Sequence, residues 1–464
     1  MPVPVEKPLP PLDLTDIQGN ILRGYRREVF ARFLFLRIGN AADGRKYLGR
    51  LLKHATPANW GDERPQALTN IALSHAGLCA LGISYESASS FPNDFRQGMR
   101  ARAKTLGDTG DSAPEKWDEP WRSEDVHLLI SCYARDKAQL KAHCEGLLKH
   151  LPAGVRDLPP HQDGERFTID DRQPEHFGFA DGLSNPAVEG MPRGENAKLV
   201  GNPDPDDKSG FSPVPAGEFI LGYPGLGREQ RDLPIPGRLA VNGTFMVFRK
   251  LAQDVNAFRT YLKTQHETMS RVISGQDEEF IAAKMVGRWP DGSPLVLHAE
   301  KKNDPTNRFD YTNDPEGAMC PLGAHIRRTN PRSSQGLNGD LSKRRRMIRR
   351  GIPYGTFVPK GQLADSKPRG LLFVAYVAGI EAQFEFVQGQ WVNRGNDFRQ
   401  GSDKDPVAGD NNGFGRMVIP GDERAGRPPF LCTGLPRFVT VKGGGYFFVP
   451  GLTALRLMAA GHLQ

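Results

Sequence analysis

The chain has 464 residues, 38% hydrophobic and 25% charged, so it can bury a large core and falls outside the disordered and fibrous classes. A net charge of +7 is modest for this length, and no basic stripe interleaved with aromatics accompanies it, which excludes dedicated nucleic-acid binding. The five cysteines are widely spaced with no CxxC pair, against a disulfide framework or structural zinc. No window holds the roughly 18 apolar residues of a membrane span.

Residues 1–13 are proline-dense and predict an extended arm. They contain no apolar signal-peptide core, so a cytoplasmic location is expected. "RFLFLRI" (32–38) reads as a strand. Three longer stretches repeat one pattern, an apolar strand followed directly by an amphipathic helix: 126–151, 243–262 and 370–391. "YFFVPGL" (446–452) is a further strand leading into a short helix. Strands alternating with helices in two similar halves predict a duplicated α+β sandwich, with helices on one face of each sheet. The domains expected are 14–215 and 216–464. Between them, 186–240 is rich in Gly, Pro and Asp and predicts a long irregular connection, and 393–429 is a second such region.

Three segments carry chemistry. In "HFGFADGLSNP" (176–186), Gly178 and Gly182 bracket Asp181 and permit a tight turn; the acid is either a surface Asp-Gly turn or partly buried by Phe177 and Phe179. In "CPLGAHIRRTNPR" (320–332), His325 has no second His or Cys at ligand spacing, so a histidine-cluster zinc site is disfavoured. It is either a satisfied structural histidine or the single axial ligand that haem needs. Arg327, Arg328 and Arg332 beside it could neutralise a cofactor with two carboxylates. In 343–350, six of eight residues are Lys or Arg. That run is a solvated face, a polyanion patch, or a source of one basic side chain aimed inward.

"FGFADG", "AHIRRTNPR" and "MIRRGIPYG", in this order, resemble the signature aspartate, proximal-histidine and distal-arginine segments of the dye-decolorising peroxidases. "LTDIQGNILRGY" (14–25), "NGTFMVFRKLAQDV" (242–255) and "GYFFVPGLTAL" (445–455) resemble family segments too, and the chain looks like the larger C/D-type members. The resemblance implies two ferredoxin-like domains, each a four-stranded antiparallel sheet with helices on one face. Haem b would sit mainly in the C-terminal domain, under a loop from the first. His325 would ligate the iron, while Arg328, Arg332 and Gly182 would contact the cofactor. Asp181 would move the proton of hydrogen peroxide, and Arg349 would stabilise the developing charge. Arg344 to Arg346 would be surface charge, and Arg350 either. Glu381 and Glu385 are candidates to accept the second N–H of His325, or else are solvated. The implied activity is reduction of hydrogen peroxide through a ferryl intermediate, with one-electron oxidation of dyes and phenols. A haem carrier, sensor or iron-releasing protein is the alternative. Trp391 would link interior to surface for electrons, with Tyr376 and Tyr354 nearer the haem. No nucleic-acid or membrane partner is expected, and the chain could be a monomer or a homo-oligomer.

Overall fold

Three strand–helix junctions are marked by an Asn or Asp that stops the strand and starts the helix. Asn40, Asp136 and Asp254 each accept a hydrogen bond from the backbone N–H three residues on, and so cap the helices Ala41–Leu51, Lys137–Leu148 and Val255–Met269. The computed structural model describes residues 11–61, 63–191, 202–203, 211–335, 339–422 and 426–463. Most of the predicted N-terminal arm, and much of the predicted connection between the halves, lie outside the described residues.

Two βαββαβ units result. The first has strands Phe30–Ile38, Ala67–Leu73, Leu128–Ala134 and Val155–Asp157, with the 41–51 and 137–148 helices after its first and third strands. The second has strands Thr244–Gln253, Ile352–Tyr354, Gly370–Val377 and Val439–Val449. Its first strand is followed by the 255–269 helix and its third by two wider-wound π-helical segments, Glu381–Glu385 and Val387–Val392. In space both halves order their strands second, third, first, fourth, and the pairings are antiparallel. This is the ferredoxin-like order, repeated.

The half-sheets are continuous. Phe448 of the last strand pairs with Leu73 of the first half. At the opposite end, strand Gln162–Glu165 runs beside Phe30–Ile38, and a Cβ on its Gly164 would lie 2.6 Å from the Ile352 side chain. The sheet therefore curls into a barrel. Inside it, Phe33 and Phe35 of one half meet Phe248 of the other, with ring centroids 5.1 and 5.9 Å apart. Segment 14–25 threads through this core. Gln18 Nε2 donates to the carbonyls of Ile71 and Pro450, and Asn20 Nδ2 donates to the hydroxyls of Tyr133 and Tyr376, one partner from each half in both cases. Satisfied polar links of this kind fix how the halves sit together. Among the described residues no helix is long and apolar enough to cross a membrane.

Candidate active site

Alternation along the C-terminal strands sends Phe248, Leu372 and Val374 into the core and leaves Leu251, Leu371, Phe373, Val439 and Val441 on the other face. That second face is the floor of a cavity of about 310 Å³. The short helix His325–Thr329 and the π-helical residues Phe384 and Val387 wall it, and residues 175–184 close it. A loop that follows the first half in the chain thus covers a cavity built on the second.

His325 is held by Asp405. The ring Nδ1 donates to Asp405 Oδ2 at 2.9 Å, while Oδ1 of the same carboxylate accepts the N–H groups of Val407 and Ala408, both at 2.8 Å. Burial opposes charge on both partners, but their mutual attraction prevails: the His325 pKa is raised and the Asp405 pKa lowered from their ordinary values. With Nδ1 committed, Nε2 has no hydrogen-bond partner among the described residues, and His325 lines the cavity.

Phe177 and Phe179 pin the covering loop. Phe177 stacks on Phe258 at 4.4 Å, and Phe179 is buried among residues of the 255–269 and Glu278–Val286 helices. Glu175 accepts the N–H groups of Phe177 and Phe179 and the side chain of Gln253, and burial pushes its pKa up to about 7. Gly182 has φ +73° and donates its N–H to Asp181 Oδ1 at 2.6 Å. Asp181 is half-buried and faces Arg349, whose Nη1 lies 3.6 Å from the same Oδ1. Arg349 is fixed from its backbone by a bond to Asn185 and by strand pairing with Ala375. Asp181, Arg349 and His325 all line the one cavity, and both distal charges bear on the imidazole.

Other expectations are corrected. Glu385 is buried, but it is taken by Arg102 and by the hydroxyl of Tyr446, while Glu381 stands at the surface, so neither reaches His325. Arg328 is fully buried and does not line the cavity. Its guanidinium donates to the carbonyls of Trp391, Arg394 and Asp403, which holds the loop that presents Asp405. Gly182 borders an adjoining cavity, not this one. Trp391 is 3% exposed and hydrogen-bonded to Asp397, so it does not itself reach the surface. The Tyr376 hydroxyl lies inside the barrel, and Tyr354 packs in the same core. The basic run is mostly turned inward. Arg344 is exposed, but Arg345 and Arg346 line the cavity, and Arg350 is buried against the carbonyls of Asn20 and Ile21.

The donor set limits what the cavity can hold. Among the described residues no group of three or more His, Cys, Asp or Glu could hold a metal ion, so an iron bound through His325 must bring its other ligands with it. The walls are largely apolar. Arg332, Arg345 and Arg346 face the cavity, donate to backbone carbonyls and form no ion pair among the described residues. Burial, with the like charges of Arg332 and Arg349, pushes Arg346 down to about 9. Unpaired guanidiniums over an apolar slot with one free imidazole fit a flat macrocycle bearing carboxylates. Sequence reasoning found His325, Asp181, Arg349 and Arg332 but not Asp405, Glu175 or Arg346. The Asp-Pro-Val-Ala turn around Asp405 was the only local signal.

Comparisons with known proteins place the chain among relatives of one family. A family model described as "DyP dimeric alpha+beta barrel domain" matches residues 16–160, and "Dyp-type peroxidase, C-terminal" matches 230–400. The "Dye-decolorizing peroxidase msp1" of Mycetinis scorodonius is 32% identical, covering 96% of this chain and 87% of its own. The solved structure of an ancestral D-type dye decolorizing peroxidase is 30% identical, with a TM-score of 0.79 over 96% of this chain and 99% of that one. A dye-decolorizing peroxidase in complex with 2,6-dimethoxyphenol is 28% identical, with a TM-score of 0.79 over 97% and 100% of the two chains.

Proposed function

The chain belongs to the dye-decolorising peroxidase family, and from that membership we propose how its cavity performs haem peroxidase chemistry on hydrogen peroxide and organic donors. The cofactor is haem b. His325 Nε2 would hold the iron, and Arg332 and Arg346 would meet the carboxylates of the macrocycle. When bound, the haem supplies a redox iron that takes two oxidising equivalents from peroxide and returns them to donors one at a time. Asp405 fixes the tautomer of His325 and, by drawing on its Nδ1–H, makes Nε2 a stronger electron donor.

Facing the same cavity, Asp181 is the proton shuttle. Its Oδ1 is occupied by the Gly182 N–H and faces Arg349, which leaves Oδ2 to accept a proton from hydrogen peroxide and hand it to the departing oxygen. Arg349 faces that carboxylate and stabilises negative charge as the O–O bond lengthens. The observation that carries this reading is the convergence of His325, Asp181 and Arg349 on one cavity. A carrier or sensor needs the imidazole but has no use for an acid–base pair facing it.

The test is stopped-flow absorption of Asp181→Asn and Arg349→Leu after mixing with peroxide. Each variant is expected to keep its haem and to react roughly 10²-fold more slowly or worse. Wild-type rates in both would remove them from the chemistry.

A further inference from the structure

A second cavity, of about 640 Å³, adjoins the first and shares with it Asp181, Arg349, Leu371 and Phe373. On its far side it is bordered by the exposed residues Thr168, Asp170 and Asp171, so it leads from solvent to the Asp181–Arg349 pair. Hydrogen peroxide alone needs far less room.

Its charges are unevenly matched. Of the four carboxylates in its wall, Asp181 faces Arg349 at 3.6 Å, Asp170 pairs with Arg172 at 3.2 Å, Asp291 accepts the N–H groups of Ser293 and Asn303, and Asp171 stands exposed at the mouth. Arg350 is spent on backbone carbonyls, and Arg26 donates only to the carbonyl of Gly182. Arg166 differs from all of these. Its Nε is buried without a hydrogen-bond partner, and the side chain makes no ion pair among the described residues. Burial lowers its pKa against the opposing pull of Tyr133 and Asp181, and neighbouring Arg26 lowers it further. The wall also has apolar surface from Phe167, Pro353 and Phe373, alongside polar side chains such as Thr168 and Gln173. A guanidinium with no hydrogen bond or ion pair among the described residues, next to aromatic surface, is the complement of a ring that carries a carboxylate.

We propose that this second cavity binds a small aromatic carboxylate, gripped by Arg166 with help from Arg26 and laid along Phe167. Such a ligand stands in the route to Asp181 and Arg349. Its effect on catalysis rests on the peroxidase reading above, but its binding does not.

The test is calorimetric titration of sodium benzoate into the haem-loaded protein without peroxide, with benzamide as the neutral control. Benzoate is expected to bind saturably and at least about tenfold more tightly than benzamide, since a charge-assisted bond is at stake. Arg166→Gln is expected to weaken benzoate by at least about tenfold, and Arg166→Lys to restore part of the loss. Absence of saturable benzoate binding, equal binding of benzamide, or unchanged affinity in Arg166→Gln overturns the proposal. None of these outcomes bears on the rates of Asp181→Asn or Arg349→Leu with peroxide, so the two readings fail separately.

Discussion

Replacing Asp405 by Asn changes one oxygen to nitrogen in a side chain with no solvent exposure. Three hydrogen bonds converge on that carboxylate: His325 Nδ1 on Oδ2, and the Val407 and Ala408 N–H groups on Oδ1. If the new amide keeps its oxygen toward Val407 and Ala408, its NH₂ confronts Nδ1. Then Nδ1 must become an acceptor, the ring proton moves to Nε2, and the lone pair that would hold iron is gone. If the amide flips, the tautomer survives but two backbone donors face an NH₂ group. A buried donor left unmade costs about 1–3 kcal/mol, so the flipped form loses about 2–6 kcal/mol of stability. The unflipped form loses metal affinity, for which changes to such supporting groups typically cost about 10–100-fold. Asp405→Asn should therefore be folded, less stable, and at least about tenfold weaker in holding haem. Transfer of haem to an excess of apomyoglobin, followed by absorption, measures the last of these. Wild-type transfer rates and an unchanged spectrum would refute the assigned role of Asp405.

Glu175 should give stability a pH dependence of known sign. Its carboxyl has an ordinary value of 4.5 and is raised to about 7 by burial, so between these values the unfolded chain releases a proton that the folded one retains. Stability contributed by this group is therefore present below pH 4.5 and lost as pH rises toward 7, by at most about 3 kcal/mol. Denaturation curves of wild type and Glu175→Gln should diverge in slope across that window, and parallel pH profiles would contradict the prediction. Arg328→Lys cannot reach three carbonyls at once, so it should cost about 2 kcal/mol or more in chemical denaturation and also loosen haem by releasing the Asp405 loop. A wild-type denaturation midpoint would count against it.

Much of the fold was legible because it is local. Apolar strands and helix periodicity are written in consecutive residues, and the repeated strand–helix pattern revealed the duplication. His325, Asp181 and Arg349 were legible because each sits in a distinctive segment. The partner of His325 was not, because Asp405 lies 80 residues away in an irregular loop and nothing local says which acid will return to the ring. Glu385 was nearer in type and setting, yet it is consumed by Arg102, 283 residues distant. The basic run misled through its charge count. Met347 and Ile348 inside it were the sign that strand Ile348–Arg349 would draw its neighbours inward, where backbone carbonyls receive Arg346 and Arg350.

The most direct test is the absorption spectrum of the purified chain and of His325→Ala, each before and after one equivalent of hydrogen peroxide. The account predicts a Soret band in the wild type that shifts at once on adding peroxide, and a folded His325→Ala protein that carries little or no haem. A wild-type protein without a Soret band, or a His325→Ala variant with full haem and an unaltered spectrum, would contradict it.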